Sequence, residues 1–191
     1  GGFASSWYED ANYGAGYAFF KQKHYDKASP YFRKYIDSYR GDDPKKLNDA
    51  HLRAGDCQYV SKKYDQAIVH YNKSIELKQT NTDYAYFQKA QCLGLKGDKD
   101  QKITVLEKLL QDQPASKYTA DTKFELARTF LSMEKLAKSK KYFEDILANH
   151  SNSPYRKYSL VDLLLIAVKS NNNQEAVSLW NKVLADYPND P

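Results

Sequence analysis

Five times along this chain a small residue, a large residue, a second small residue and an aromatic or large apolar residue return in one register, and this recurrence constrains the fold more than any single position. Gly16, Phe19, Ala28 and Phe32 form the first set, and Gly55, Gln58, Ala67 and Tyr71 the second. The same offsets return at Ala90, Leu93, Lys102 and Leu106, at Ala127, Phe130, Ser139 and Phe143, and at Leu164, Ala167, Ala176 and Trp180. Successive second small positions lie 39, 35, 37 and 37 residues apart. Similarity at a period of this length marks a repeat architecture in which each unit buries its apolar face against its neighbours. The predicted fold is all-α, a superhelical solenoid of about five antiparallel helix pairs. Such a fold offers a long surface for a partner, not an enclosed pocket.

The second copy shows how each pair arises. Between 48 and 59, His51, Leu52, Ala54, Gly55, Gln58 and Tyr59 recur at three- and four-residue intervals, which is helical periodicity. Ser61, Lys62 and Lys63 interrupt it, and Asp65 then opens a second helix, where a carboxylate suits the positive end of the helix dipole. Gly55 and Ala67 are expected to face each other, with Tyr71 covering the gap toward the next unit. The repeats are placed at about 8–39, 47–78, 82–112, 117–149 and 154–186, so that residues 1–191 form a single array. Breakers fall between copies: Gly41 to Pro44, Gln113 with Pro114, and Ser151 to Pro154. Lys102 stands in a small-residue column, where it is expected to snorkel outward and loosen the third hairpin. Tyr187, Pro188, Asn189, Asp190 and Pro191 repeat the junction at 150–154, which reads as a piece of a longer array or an end covered by another domain.

Composition removes several classes. Of 191 residues 41% are hydrophobic and 28% charged, a folded balance with a net charge of only +5. No run approaches the roughly 20 apolar residues of a membrane span, and the longest candidate, 160–168, is interrupted by Asp162. The sequence opens Gly1-Gly2, without a charged or apolar targeting segment from which a compartment could be read. The densest basic group, Lys135, Lys138, Lys140 and Lys141, reads as a solvated helix face, and no aromatic residues interleave with it as a nucleic-acid binder would require. Cys57 and Cys92 occupy equivalent places in successive repeats. Packed helices sit about 8–10 Å apart and a disulfide needs Cα atoms within about 7 Å, so two buried free thiols are expected.

Catalysis finds no support in the residues. His24, His51, His70 and His150 lie in different elements, and none stands at metal-ligand spacing from another. Gly14 and Gly16 fall inside a helix and Gly94 and Gly97 beside a turn, so no glycine loop is placed to cradle a phosphate. No enzyme, cofactor or metal site is expected.

The pattern resembles the tetratricopeptide repeat (TPR) family. Residues 61–77 are close to that family's consensus for the turn and second helix, Tyr25, Asp26, Lys27, Ala28 and Phe32 match it again, and Pro114 and Pro188 stand where its terminal proline belongs. The resemblance implies a right-handed superhelix whose first helices line a concave face. On that face it places Tyr13, Tyr17 and Phe20; Leu52, Asp56 and Tyr59; Tyr84, Phe87 and Gln91; and Phe124, Arg128 and Leu131. So aromatic a surface suits a partner peptide or amphipathic helix. A clamp for a terminal carboxylate is not expected, since Arg128 is the only cation in that set. The junctions 113–118 and 150–155 are similar to those of bacterial cell-envelope members, which implies a periplasmic setting. Two other roles are carried forward: a spacer or oligomerisation module that self-associates, and binding of an anionic surface through the lysine-rich second helices.

Overall fold

Each hairpin turn is made the same way. Lys23, Lys62, Gly97, Glu134 and Asn171 adopt the left-handed conformation, with φ of 56–81°. The amide after each reaches back five residues to a carbonyl of the first helix: His24 to Phe19, Lys63 to Gln58, Asp98 to Leu93, Lys135 to Phe130 and Asn172 to Ala167, at 2.9–3.0 Å. This closure ends the helix and turns the chain back. Only the third turn uses glycine, and the other four side chains tolerate a conformation that costs roughly 1–2 kcal/mol.

A computed structural model describes residues 2–41 and 43–188, with side chains from Trp7 onward. Asp42 and residues 189–191 lie outside the described residues, and with them parts of the 41–44 and 187–191 junctions. Among the described residues there are ten α-helices and no strand. The turns join α1 (Gly2–Lys21) to α2 (Tyr25–Ser38), α3 (Pro44–Val60) to α4 (Tyr64–Leu77), α5 (Thr82–Leu95) to α6 (Lys99–Asp112), α7 (Thr119–Leu131) to α8 (Leu136–Asn149), and α9 (Arg156–Lys169) to α10 (Asn173–Asp186). None is long and apolar enough to cross a membrane. Contacts divide the chain into two compact units, Gly1–Val105 and Leu106–Pro191. In the first, α2 packs on α1, α3 on α2, α4 on α3 and α5 on α4. In the second, α8 packs on α7, α9 on α8 and α10 on α9.

The repeated columns become the core. A Cβ added at Gly55 would stand 2.7 Å from the Tyr71 ring, and one at Gly16 3.0 Å from Phe32. Tyr71 therefore closes on Gly55 inside its own hairpin as well as reaching Ala85 and Cys92 of α5. Lys102 departs from the expectation. Its stem lies against α5, where a Cβ at Gly94 would meet its Cδ at 3.2 Å, so a glycine on the facing helix makes room for the lysine. Trp180 departs further: Phe32, Tyr71, Leu106 and Phe143 have no exposed surface, whereas Trp180 is 51% exposed. Phe32, Tyr71 and Phe143 share their clusters with residues of the next first helix, and α10 has no such cover among the described residues. Cys57 and Cys92 are buried and unpaired, and burial pushes both thiols up to about 12, which leaves them unreactive.

One column carries a local defect. Ala50 and Ala85 are fully buried, and their counterparts Thr122 and Ser159 are equally buried, with hydroxyls that find no hydrogen-bond partner. An orphaned buried hydroxyl costs about 1–3 kcal/mol. Ser159→Ala should therefore raise stability by about 1 kcal/mol, read as a higher urea midpoint. A lower midpoint would mean that the hydroxyl is satisfied.

Candidate functional site

The first helices of the N-terminal unit bring charge and aromatic rings together. Spacings of three and four place Tyr13, Tyr17 and Phe20 on one face of α1 and Asp49, Arg53 and Asp56 on one face of α3. Tyr13 donates its hydroxyl to Asp49 Oδ2 at 2.7 Å, and Tyr17 donates to the same oxygen. Arg53 lies between the two carboxylates, its Nε 3.4 Å from Asp49 Oδ1 and its Nη1 bonded to Asp56 Oδ2. The other Asp56 oxygen accepts from Tyr71 at 2.9 Å and from Tyr84 at 2.8 Å. The guanidinium also sits over two rings, 5.4 Å from the centre of Phe20 and 5.9 Å from that of Tyr84. Four helices, α1, α3, α4 and α5, are thereby tied by one polar network.

Burial and the paired charges act on this network together. Burial, then the bond to Asp49, pushes the Tyr17 hydroxyl up to about 12, and burial drives Tyr13 and Tyr84 upward as well, so all three phenols stay donors. Burial raises Asp56, opposed by Arg53 and by the Tyr84 and Tyr71 bonds. For Arg53 burial works against the charge, and the attraction of Asp56 and Asp49 outweighs it. Beside the network, Tyr17, Phe20, Lys21, Lys23, Tyr25 and Arg53 line a shallow cleft at the α1–α2 turn.

Several expected contact residues take other roles. Leu52 has no exposed surface and belongs to the core with Tyr71 and Cys92. Asp56, only 8% exposed, holds Tyr71, Tyr84 and Arg53 in place and does not face a partner. Tyr59, Phe87 and Gln91 are half-buried, with Tyr59 against Tyr64 at 6.0 Å. In the C-terminal unit Phe124 is buried, stacked on Tyr155 with centroids 4.4 Å apart. Arg128 is exposed, 5.8 Å over the Phe124 ring and 3.9 Å from the Asp162 carboxylate. Leu131 is half-buried against that unit's core.

Sequence reasoning passed over Asp49 and Arg53, so Arg128 is not the only cation on the first-helix face. Both stand in the repeat register, six and two residues before Gly55, and Tyr84 stands six before Ala90. It also passed over Val161 and Leu165 on α9, 45% and 42% exposed, in the columns of Phe87 and Gln91. The lysine-rich group on α8 is partly neutralised, Lys140 lying 2.6 Å from Glu175 and 3.9 Å from Glu144.

Two histidines placed in separate elements meet in space. The Nδ1 atoms of His51 on α3 and His70 on α4 are 3.2 Å apart, so in the neutral pair one donates to the other. Burial, then His70, lowers His51 to about 4, and burial with Arg33 lowers His70. Lys73 and Glu76 on α4 and Arg33 and Asp37 on α2 act on the pair with opposing signs. A histidine lowered on folding stabilises the native state above its unfolded value near 6.5 and loses that contribution as pH falls toward the folded value. Stability of the N-terminal unit should therefore drop between pH 6.5 and about 4, and His51→Gln should flatten that part of a urea-midpoint profile. An unchanged profile would remove the pair from the acid response. Among the described residues no three metal-ligating side chains converge.

Comparison with known proteins matches the tetratricopeptide repeat profile to residues 10–41 and 84–116. No curated protein matches the sequence. Among solved structures, the MamA protein aligns over 96% of this chain and 97% of its own, at 18% identity and a TM-score of 0.76. A tetratricopeptide repeat protein from Parabacteroides merdae gives a TM-score of 0.78 at 12% identity, over 96% of this chain and 68% of that one. YrrB, described as a TPR protein with an unusual peptide-binding site, gives 0.69 at 12% identity, over 91% and 84%. At these identities the likeness is one of fold.

Proposed function

We propose, for a chain that belongs to the tetratricopeptide repeat family, that it is a non-catalytic scaffold that captures a segment of a partner protein on the first-helix face of its N-terminal unit. The observation that carries this reading is the cleft at the α1–α2 turn. Tyr17, Phe20 and Tyr25 supply aromatic walls, and Lys21, Lys23 and Arg53 supply positive charge. Such a site suits a peptide that seats an apolar or aromatic side chain beside acidic residues. The phenol–carboxylate network supports it from behind: Tyr17, Arg53 and Tyr84 are already held, so little conformational freedom is lost on binding. The peptide-binding site ascribed to YrrB agrees in kind with this reading.

Peptide-library panning on the intact chain tests it. Selected peptides should pair an apolar residue with acidic neighbours and bind the Lys21→Glu, Lys23→Glu double variant about tenfold more weakly, roughly 1.4 kcal/mol. Both lysines are exposed, so thermal stability should stay unchanged. Peptides that bind the double variant as tightly as the parent chain would reject the site.

A further inference from the structure

The outer faces of α1 and α10 carry the two halves of an interface that the fold builds internally three times. Where α3 meets α2, Leu47, Ala50, Ala54 and Cys57 pack on Phe32 and Ile36. Where α5 meets α4, Ala85 and Cys92 pack on Ile68, Tyr71 and Ile75. Where α9 meets α8, Leu163 and Ile166 pack on Phe143 and Leu147. One half is always a second helix with large apolar side chains four and eight residues after its small position. The other is a first helix with small or medium residues five before its own small position and two after it, and on α3 an alanine one before it as well.

On α10 the first half stands open. Trp180 and Leu184 occupy those places and Val177 stands where Ile68 does; they are 51%, 50% and 60% exposed, whereas Phe32, Tyr71 and Phe143 in the place of Trp180 have no exposed surface. On α1 the second half stands open. Ala11, Ala15 and Ala18 take the places of Ala50, Ala54 and Cys57, and Tyr8 that of Leu47. Tyr8 is 52% exposed, Ala11 and Ala18 are exposed and Ala15 is half-buried, against 0–1% for Ala50, Ala54 and Cys57. Three alanines in a row leave a flat strip, and an indole is the largest knob available to cover it.

We propose that α10 of one copy of this chain docks on α1 of a second copy, head to tail, repeating the α2–α3 packing. A second copy is favoured over an unrelated helix because both complementary halves, in the register used inside the fold, belong to this one chain. The two faces differ, so the contact is heterologous and propagates to rings or open chains instead of closing as a symmetric pair. This association uses neither the α1–α2 cleft nor the Asp49–Arg53–Asp56 network, and it stands apart from the peptide-binding reading.

Sedimentation velocity over a concentration series tests it, on the parent chain, on Trp180→Glu, on Ala11→Glu and on an equimolar mixture of the two variants, with circular dichroism to establish helix content. The parent chain should pass from monomer to dimer and larger species as concentration rises. Each variant alone should remain monomeric. The mixture should form a one-to-one dimer and stop there, because only one competent pair of faces remains. Leu184→Lys and Ala18→Glu repeat the experiment should either first variant lose helix. A parent chain that stays monomeric up to hundreds of micromolar, an α1 variant that still self-associates, or a mixture that does not pair would each overturn the proposal.

Discussion

Truncating Phe143 to alanine is expected to destabilise the C-terminal unit by about 3–5 kcal/mol, the range for emptying a buried aromatic site. The ring has no exposed surface, meets Phe124 edge-on at 5.9 Å, and shares its cluster with Leu163 and Ile166 of α9. Helices of 13 or 14 residues such as α7, α8 and α9 are marginal alone, so a hole among them cannot be offset by local propensity. Phe32→Ala should act alike in the N-terminal unit, where the ring fills the space at Gly16. Trp180→Ala, at the equivalent position on α10, should cost far less because half of that side chain is already in water. Urea unfolding followed by circular dichroism separates the cases. Equal losses at Phe143 and Trp180 would show that the repeat column, and not burial, sets the energy.

Asp56→Ala is expected to rank next, at about 3 kcal/mol, the lower part of the range for removing one partner of a buried ion pair. The carboxylate accepts from Tyr71, Tyr84 and Arg53 together, and its loss removes an acceptor shared by donors on α3, α4 and α5. Arg53 keeps Asp49 as a counterion at 3.4 Å, which holds the cost at the lower end. Asp56→Asn should cost less, since an amide oxygen still accepts from the two phenols while the charge on Arg53 loses one partner. Denaturation of both variants is the measurement. A loss under about 1 kcal/mol for alanine would give the network the energetics of an exposed ion pair.

How far these features could be read in advance varied with their range. The small-residue and aromatic columns place every hairpin, because a period near 37 residues is a local pattern that stacking only reinforces. The turns were visible too, as interruptions at Lys62 and Gly97, although the shared left-handed conformation at Glu134 carries no composition signal. Groove residues were harder. Tyr17 and Phe20 do line a face, but Leu52 and Phe124, in a single column, are buried, because neighbouring elements close over them. Column membership gives the direction of a side chain, and neighbours decide whether water reaches it.

What the sequence alone determined about this protein is its helical repeats, their register and the buried aromatic column, since each follows from spacing along one helix pair. The meeting of His51 with His70, the sharing of Asp56 by two tyrosines and an arginine, and the shelter of the Lys102 stem against Gly94 were decided only in three dimensions. Each brings together side chains from different helices, and their separation depends on how closely those helices pack. So does the contrast between Phe143 and Trp180: the same column gives a core ring where a further helix covers it and a half-exposed one on α10, which no further helix covers among the described residues.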